Sequence, residues 1–138
     1  MNQRVPIPDT FSQTYWSAAA EGRLLIQECR HCRHRQFYPR AHCARCLQPE
    51  PAWIEADRAG TLHSFTIVLR TPNADWSEEV PYVFALVDLE DGVRISTNVV
   101  TDEPEHLQCG QRVEIDFDLR DGMHVPVAHV TDNERQRP

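Results

Sequence analysis

The hydrophobic pattern changes its period once along the chain. Between residues 9 and 21, Phe11, Tyr15, Trp16 and Ala19 recur near a 3.6-residue spacing, Asp9 or Thr10 stands where a helix cap belongs, and Gly22 stands where a left-handed C-terminal residue belongs. This predicts a short N-terminal helix. Leu24-Leu25-Ile26 then reads as a strand leading into a cysteine segment, with Gln36 to Pro39 as its short partner. From Trp53 onward the pattern is that of β-strands, with runs at 61–70, 82–89, 93–100, 112–119 and 125–130. In Val113-Glu114-Ile115-Asp116-Phe117-Asp118-Leu119 the odd positions are apolar and the even ones acidic, so one face packs while the other meets water. Asp91-Gly92 and Asp121-Gly122 are hairpin turns. Residues 101–111 link the third and fourth runs with room for a helical turn, and 71–79 form a longer loop carrying Pro72, Asn73 and Trp76.

Five strands with a longer insertion after the third is the arithmetic of a five-stranded Greek-key barrel of the OB type, although a small sandwich fits the same runs. The expected class is mainly β. It divides into an N-terminal helical segment (1–23), a metal-stapled ribbon (24–52), the barrel (53–131) and a flexible tail (132–138).

Size makes the staple necessary. A chain of 138 residues holds one real core but not two, so a second module needs another source of stability. Cys29-Arg30-His31-Cys32 and Cys43-Ala44-Arg45-Cys46 supply it, since each Cys-x₂-Cys pair can grip a tetrahedral ion from one turn. A four-thiolate zinc site is coordinatively closed, so the metal is expected to be structural; iron fits the same ligands. Such sites contribute on the order of 10–16 kcal/mol of apparent binding free energy. Arg33 and Leu47 follow the two pairs where ribbon knuckles commonly carry glycine, which predicts less regular turns.

Charge narrows the function. All 14 basic residues are Arg, so lysine-based Schiff-base and phosphate-loop chemistry is excluded. Residues 1–50 hold seven Arg against four acids, whereas residues 51–138 hold seven against seventeen. An acidic barrel is an awkward partner for a polyanion. Arg30, Arg33, Arg35, Arg40 and Arg45, with His31, His34 and His42, crowd the cysteine segment without an acid among them. They either offset the charge of the thiolate site or grip phosphates through forked hydrogen bonds. No apolar run exceeds Val83–Val87, and the first residues lack the apolar stretch of an export signal, so a cytoplasmic chain without a membrane span is expected.

No catalytic constellation emerges. Cys109 has no local base, His63 and Ser64 are adjacent and point oppositely on a strand, and the acids at 88, 90, 91, 114, 116 and 118 read as solvated. Trp53 is expected in the core at the junction of ribbon and barrel. Trp16 and Trp76 are expected anchors for a partner or an adenine ring.

The order of parts now matters: an aromatic helix, Gly22-Arg23-Leu24 before the first cysteine pair, Tyr38-Pro39-Arg40 before the second, Ala59-Gly60-Thr61-Leu62 opening the barrel, and Pro81-Tyr82-Val83. This resembles the stand-alone zinc-ribbon/OB-fold proteins of the acyl-CoA-associated family, domain of unknown function family 35. The resemblance implies a rubredoxin-like ribbon with zinc on Cys29, Cys32, Cys43 and Cys46, and an accessory subunit that binds or channels coenzyme A thioesters for a thiolase-like enzyme. The family's partner reactions include acyl transfer, HMG-CoA synthesis and retro-aldol cleavage of steroid side-chain thioesters, which would place the chain in lipid metabolism. On that footing Arg40 or Arg70 is expected at the phosphates and Trp16 or Trp76 at the adenine or the partner. Residues 125–128 lack the aromatic that family members often carry near the proline. Two rivals remain, a zinc-ribbon/OB module for nucleic acid, disfavoured by charge, and a free-standing enzyme using Cys109 or a carboxylate pair.

Overall fold

The computed structural model describes residues 5–131, so the tail expected at 132–138 lies outside the described residues. The helix α1 spans Gln13–Ala19 and is shorter than its apolar pattern. Residues 10–12 form a tight lead-in turn instead, because the Asp9 carboxylate accepts from the N–H groups of Phe11 and Ser12 while the Ser12 hydroxyl accepts from the Asp9 N–H. At the other end Gly22, at φ +78°, donates to Ala19 O and Arg23 donates to Ala18 O, the paired bonds of a Schellman stop.

Strands β1 (Leu25–Glu28), β2 (Arg35–Gln36) and β3 (Ala52–Glu55) form an antiparallel sheet in the order β2-β1-β3. The 52/53 boundary thus falls inside β3, whose Trp53 pairs with Gln27 in the ribbon and packs, partly buried, against the core. Strands β4 (Ala59–Val68), β5 (Tyr82–Leu89), β6 (Arg94–Val99), β7 (Arg112–Arg120) and β8 (Met123–Val130) close into a barrel in the order β4-β5-β6-β8-β7. Four of its seams are antiparallel, and β6 runs parallel to β8. This is the OB arrangement rather than a sandwich.

Alternation decides which side chains fill the barrel. Val83, Ala85, Val87 and Leu89 of β5 point inward with Ile95 and Val99 of β6, Val113 and Ile115 of β7, and Ala128 of β8, the register partner of Ile115. In β4 the register slips between Leu62 and Ser64, a bulge that moves the apolar phase from Leu62 to Phe65 and Ile67. Tyr15 and Ala18 of α1 and Leu24, Leu25 and Ile26 belong to the same apolar cluster. Helix, ribbon and barrel therefore share one core.

Polar bonds fix the ribbon to the barrel. Arg35 reaches Glu28 within the ribbon and Asp91 on the β5–β6 turn, and Asp91 also accepts from the Asp57 N–H. Tyr38 bonds Ser96 across the junction, and Arg58 donates to Gly22 O and Ile115 O. Four of the six acids expected to be merely solvated are thus corrected, while Glu114 and Asp118 are exposed as expected. Asp91 ties the modules, Asp88 pairs across the strands with Arg94, Glu90 takes a forked pair from Arg112, and Asp116 meets Arg58. Of these four, Asp88 and Arg94 face each other through strand register, whereas Asp91, Glu90 and Asp116 meet guanidiniums that the packing of ribbon, loops and barrel brings to them. The link 101–111 contains a 3-10 turn at Pro104–His106, as its length suggested. No helix among the described residues is long and apolar enough to cross a membrane.

Candidate metal centre and ligand groove

The ribbon offers two knuckles of matching geometry. The N–H of Arg33 bonds Cys29 O and that of Cys29 bonds His34 O; Leu47 to Cys43 and Cys43 to Gln48 repeat the pattern. In both knuckles two backbone N–H groups point at the first sulfur: His31 and Cys32 at Cys29 Sγ, each at 3.3 Å, and Arg45 and Cys46 at Cys43 Sγ, at 3.3 and 3.4 Å. The turns expected to be irregular are regular. Arg33 and Leu47 take left-handed φ values of 68° and 69°, so the hydrogen bonds impose the glycine conformation on residues that carry side chains.

That conformation costs an L-residue roughly 1–2 kcal/mol, against about 0.5–1 kcal/mol of chain entropy lost by a glycine. Leu47 is exposed and packs little. Leu47→Gly is therefore expected to raise stability by about 0.5–1 kcal/mol at unchanged zinc content. Denaturant unfolding of the zinc-loaded chain checks this, and a lower midpoint would contradict the strain.

The four sulfurs converge. All lie within 4.8 Å of one another, with Cys29–Cys46 at 3.5 Å and Cys32–Cys43 at 3.6 Å. A zinc ion bonded at about 2.3 Å to four sulfurs needs tetrahedral edges of about 3.8 Å, which this cluster nearly provides. Electrostatics point the same way. The Cys32 and His31 N–H groups hold the Cys29 thiol down to about 6, against the opposing effect of burial. At Cys46 the Gln48 N–H favours the thiolate, yet burial and the three neighbouring sulfurs push the thiol up to about 12. Four thiolates share this volume only around a cation. The residues fit a structural zinc, held closed by protein ligands. Cys109 is exposed and outside the cluster.

Behind the second knuckle lies a buried amide pair that the cysteine pattern did not announce. Gln36 Nε2 donates to Gln27 Oε1 at 2.8 Å and to His42 O; Gln27 Nε2 donates to Arg40 O, and the Arg40 and Ala44 N–H groups bond back to the two amide oxygens. Both glutamines are buried, at 3% and 8% exposure, and together they fasten the 40–44 loop to β1 and β2.

An apolar groove of about 570 Å³ opens between α1, the Phe37-Tyr38-Pro39 turn of the ribbon and the outer face of β5 and β6. Trp16 and Trp76 both line it, as do Phe84 and Arg120. Trp76, on the 3-10 turn Ala74–Trp76 of the β4–β5 loop, packs on Tyr82 with ring centres 4.9 Å apart. The Arg120 guanidinium lies over its ring at 5.1 Å. Arg120 ends β7, and no motif around it singles it out. Arg40 is exposed and lines a separate cavity of about 290 Å³ with Thr14, Gln27 and Trp53. Arg70 is exposed just beyond β4. Of the residues expected at a ligand, the two tryptophans meet in one groove; Arg40 and Arg70 do not line it.

The family model described as "ChsH2, rubredoxin-like zinc ribbon domain" matches residues 16–51, and "ChsH2, C-terminal OB-fold domain" matches residues 53–118. A probable enoyl-CoA hydratase alpha subunit of Thermomonospora curvata is 32% identical over 103 residues, 75% of this chain and 32% of that protein, so the chain spans about a third of that relative. A DUF35 domain-containing scaffold protein of Methanocaldococcus jannaschii is 31% identical over 74% of this chain and 73% of its own length. Among solved structures, one described as "Ltp2-ChsH2(DUF35) aldolase" superposes with a TM-score of 0.80 at 28% identity, covering 91% of this chain and 98% of that one. A DUF35-family protein of unknown function from Sulfolobus solfataricus shares the fold, with a TM-score of 0.62 at 14% identity over 88% of this chain and 86% of that one. The chain belongs to the DUF35 family, in its ChsH2 form of a rubredoxin-like zinc ribbon joined to an OB-fold barrel.

Proposed function

We propose that the chain is a non-catalytic accessory subunit that binds or channels acyl-CoA thioesters for a thiolase-fold enzyme, in acyl transfer or in retro-aldol C–C cleavage such as that of steroid side-chain thioesters. The observation that carries this reading is the groove. It lies on the strand 2–3 face where OB barrels receive ligands, and its apolar walls suit a pantetheine arm. The similarity to an aldolase described as a ChsH2 complex, to scaffold proteins and to an enoyl-CoA hydratase subunit supports a role beside a partner in thioester chemistry. A closed four-cysteine site supplies folding stability and no open metal position for substrate, so the reacting groups belong to the partner. Arg40 and Arg70, which make no ion pair among the described residues, are the proposed phosphate contacts, with Trp76 at the ligand in the groove.

Nucleic acid fits this groove poorly. Five aromatic side chains line it besides the buried Tyr15, but among the described residues Arg120 is its one guanidinium, too little positive charge to track a phosphate backbone. Co-expression with a thiolase-fold enzyme encoded beside this chain is expected to yield a stable heteromer that binds an acyl-CoA by calorimetry, with turnover absent from the chain alone. Strict failure to associate, or thioesterase or aldolase turnover by the isolated chain, would overturn the accessory role.

A further inference from the structure

Taking the thioester reading as given, we infer that the groove seats the neutral acyl-pantetheine part of the ligand and leaves the charged nucleotide end outside. The walls select a slender apolar body, Trp16 and Phe37 at one end and Trp76 and Phe84 at the other. Besides the indole N–H groups, two polar groups along them lack a partner among the described residues. The Tyr15 hydroxyl, on a side chain only 2% exposed, has no hydrogen bond, and the Arg120 guanidinium makes no ion pair among the described residues beyond resting on Trp76. Ser96, Thr97 and Asn98 also line the groove, but their side chains already bond Tyr38, Pro126 O and Val83 O.

Unmet donors within apolar walls favour a chain that carries isolated carbonyl oxygens, such as the amides and thioester of an acyl-pantetheine. Charge decides against the nucleotide. Past Trp76 and Arg120 the surface continues into a second cavity of about 460 Å³ edged by Glu79, Asp102 and Asp118. Among the described residues, the Asp102 and Asp118 carboxylates there outnumber the Arg120 guanidinium, and they repel a cluster of phosphates while remaining indifferent to an amide. The phosphates then fall to guanidiniums elsewhere, such as Arg40 and Arg70, or to the partner.

The three tryptophans give the test its own control, because Trp16 and Trp76 line this groove and Trp53 lines the Arg40 cavity. Indole N–H resonances of the zinc-loaded chain are followed by NMR during titration with S-hexanoyl-pantetheine, hexanoyl-CoA and adenosine 3′,5′-bisphosphate. The expected result is that hexanoyl-pantetheine moves Trp16 and Trp76 but not Trp53, that hexanoyl-CoA moves Trp16 and Trp76 with a dissociation constant within tenfold, and that the bisphosphate moves neither groove resonance. Arg120→Met should weaken both thioesters about tenfold while leaving the fold and zinc content unchanged. Should hexanoyl-CoA bind while hexanoyl-pantetheine does not, or should the bisphosphate itself shift Trp16 and Trp76, the division proposed here fails and the thioester reading stands. Should no thioester move any indole, in the chain or in its complex with the partner, both fail.

Discussion

Cys29→Ser is expected to take the zinc content from one ion per chain to none and to melt the ribbon while the barrel persists. The ribbon sheet rests on a four-residue strand, a two-residue strand and another four-residue strand, too little to stand alone. Its ion contributes on the order of 10–16 kcal/mol, comparable to the whole stability of a typical domain, about 5–15 kcal/mol. The barrel closes on its own hydrogen bonds from β4 to β8, so far-ultraviolet circular dichroism should keep its β signature. Leu24, Leu25 and Ile26 also pack into the common cluster, and the remaining transition should therefore move to lower temperature as well. Cys109→Ser is the control, since that thiol is exposed and remote from the cluster, and it should change neither metal nor stability appreciably. Metal analysis finding full zinc in Cys29→Ser would remove the assigned ligand set.

Acidification should act through the same ligands with a definite sign. Zinc requires all four sulfurs as thiolates, and protons compete for them, so metal affinity falls as pH falls. The backbone donors on Cys29 and Cys43 lower the cost of ionising the first sulfur of each knuckle, whereas Cys46 becomes a thiolate only because the cation is present.

The sequence carried different parts of this molecule with different clarity. Two Cys-x₂-Cys pairs constrain local geometry so tightly that they announce both the site and its fold. Alternation in Val113–Phe117 likewise marks the inward face of β7 directly, because a half-buried strand has a period of two, but it fails at Leu119, which is exposed. The helix end was legible in Gly22, but its start was not. Asp9 and Ser12 exchange side-chain bonds that hold residues 10–12 in a turn, and apolar spacing does not register such bonds. The regularity of the knuckles is hidden for a related reason. Residue preference argued against left-handed turns at Arg33 and Leu47, yet four backbone bonds and the sulfurs they surround outweigh a preference of roughly 1–2 kcal/mol. Arg120 and the Gln27–Gln36 pair gave no local signal at all, and helical spacing marked Tyr15 as apolar without showing its unpaired hydroxyl. Their roles come from the closure of the barrel and the docking of the ribbon, which bring together residues dozens of positions apart.

Gly60→Ala is expected to destabilise the barrel by about 3 kcal/mol, the upper end of what overpacking costs. Gly60 sits in the closing seam, opposite Leu89 of β5 on one side and Val113 of β7 on the other. A Cβ there would lie 2.7 Å from Asp88 O and 2.9 Å from Val87 Cγ1. The first of these is backbone of a paired strand, so relief requires β5 to move away and the seam to open. Gly92→Ala separates this steric demand from glycine's conformational freedom. Gly92 has φ +87° with nothing within 4 Å of an added Cβ, so alanine there meets only the left-handed penalty of about 1 kcal/mol. Thermal unfolding should place Gly60→Ala roughly 10 °C below the parent and well below Gly92→Ala, with one zinc per chain retained in both. Equal, mild losses in the two variants would mean that β4 and β5 yield easily at Gly60, and the Gly-Thr-Leu opening of the barrel would then need a reason other than close approach of the strands.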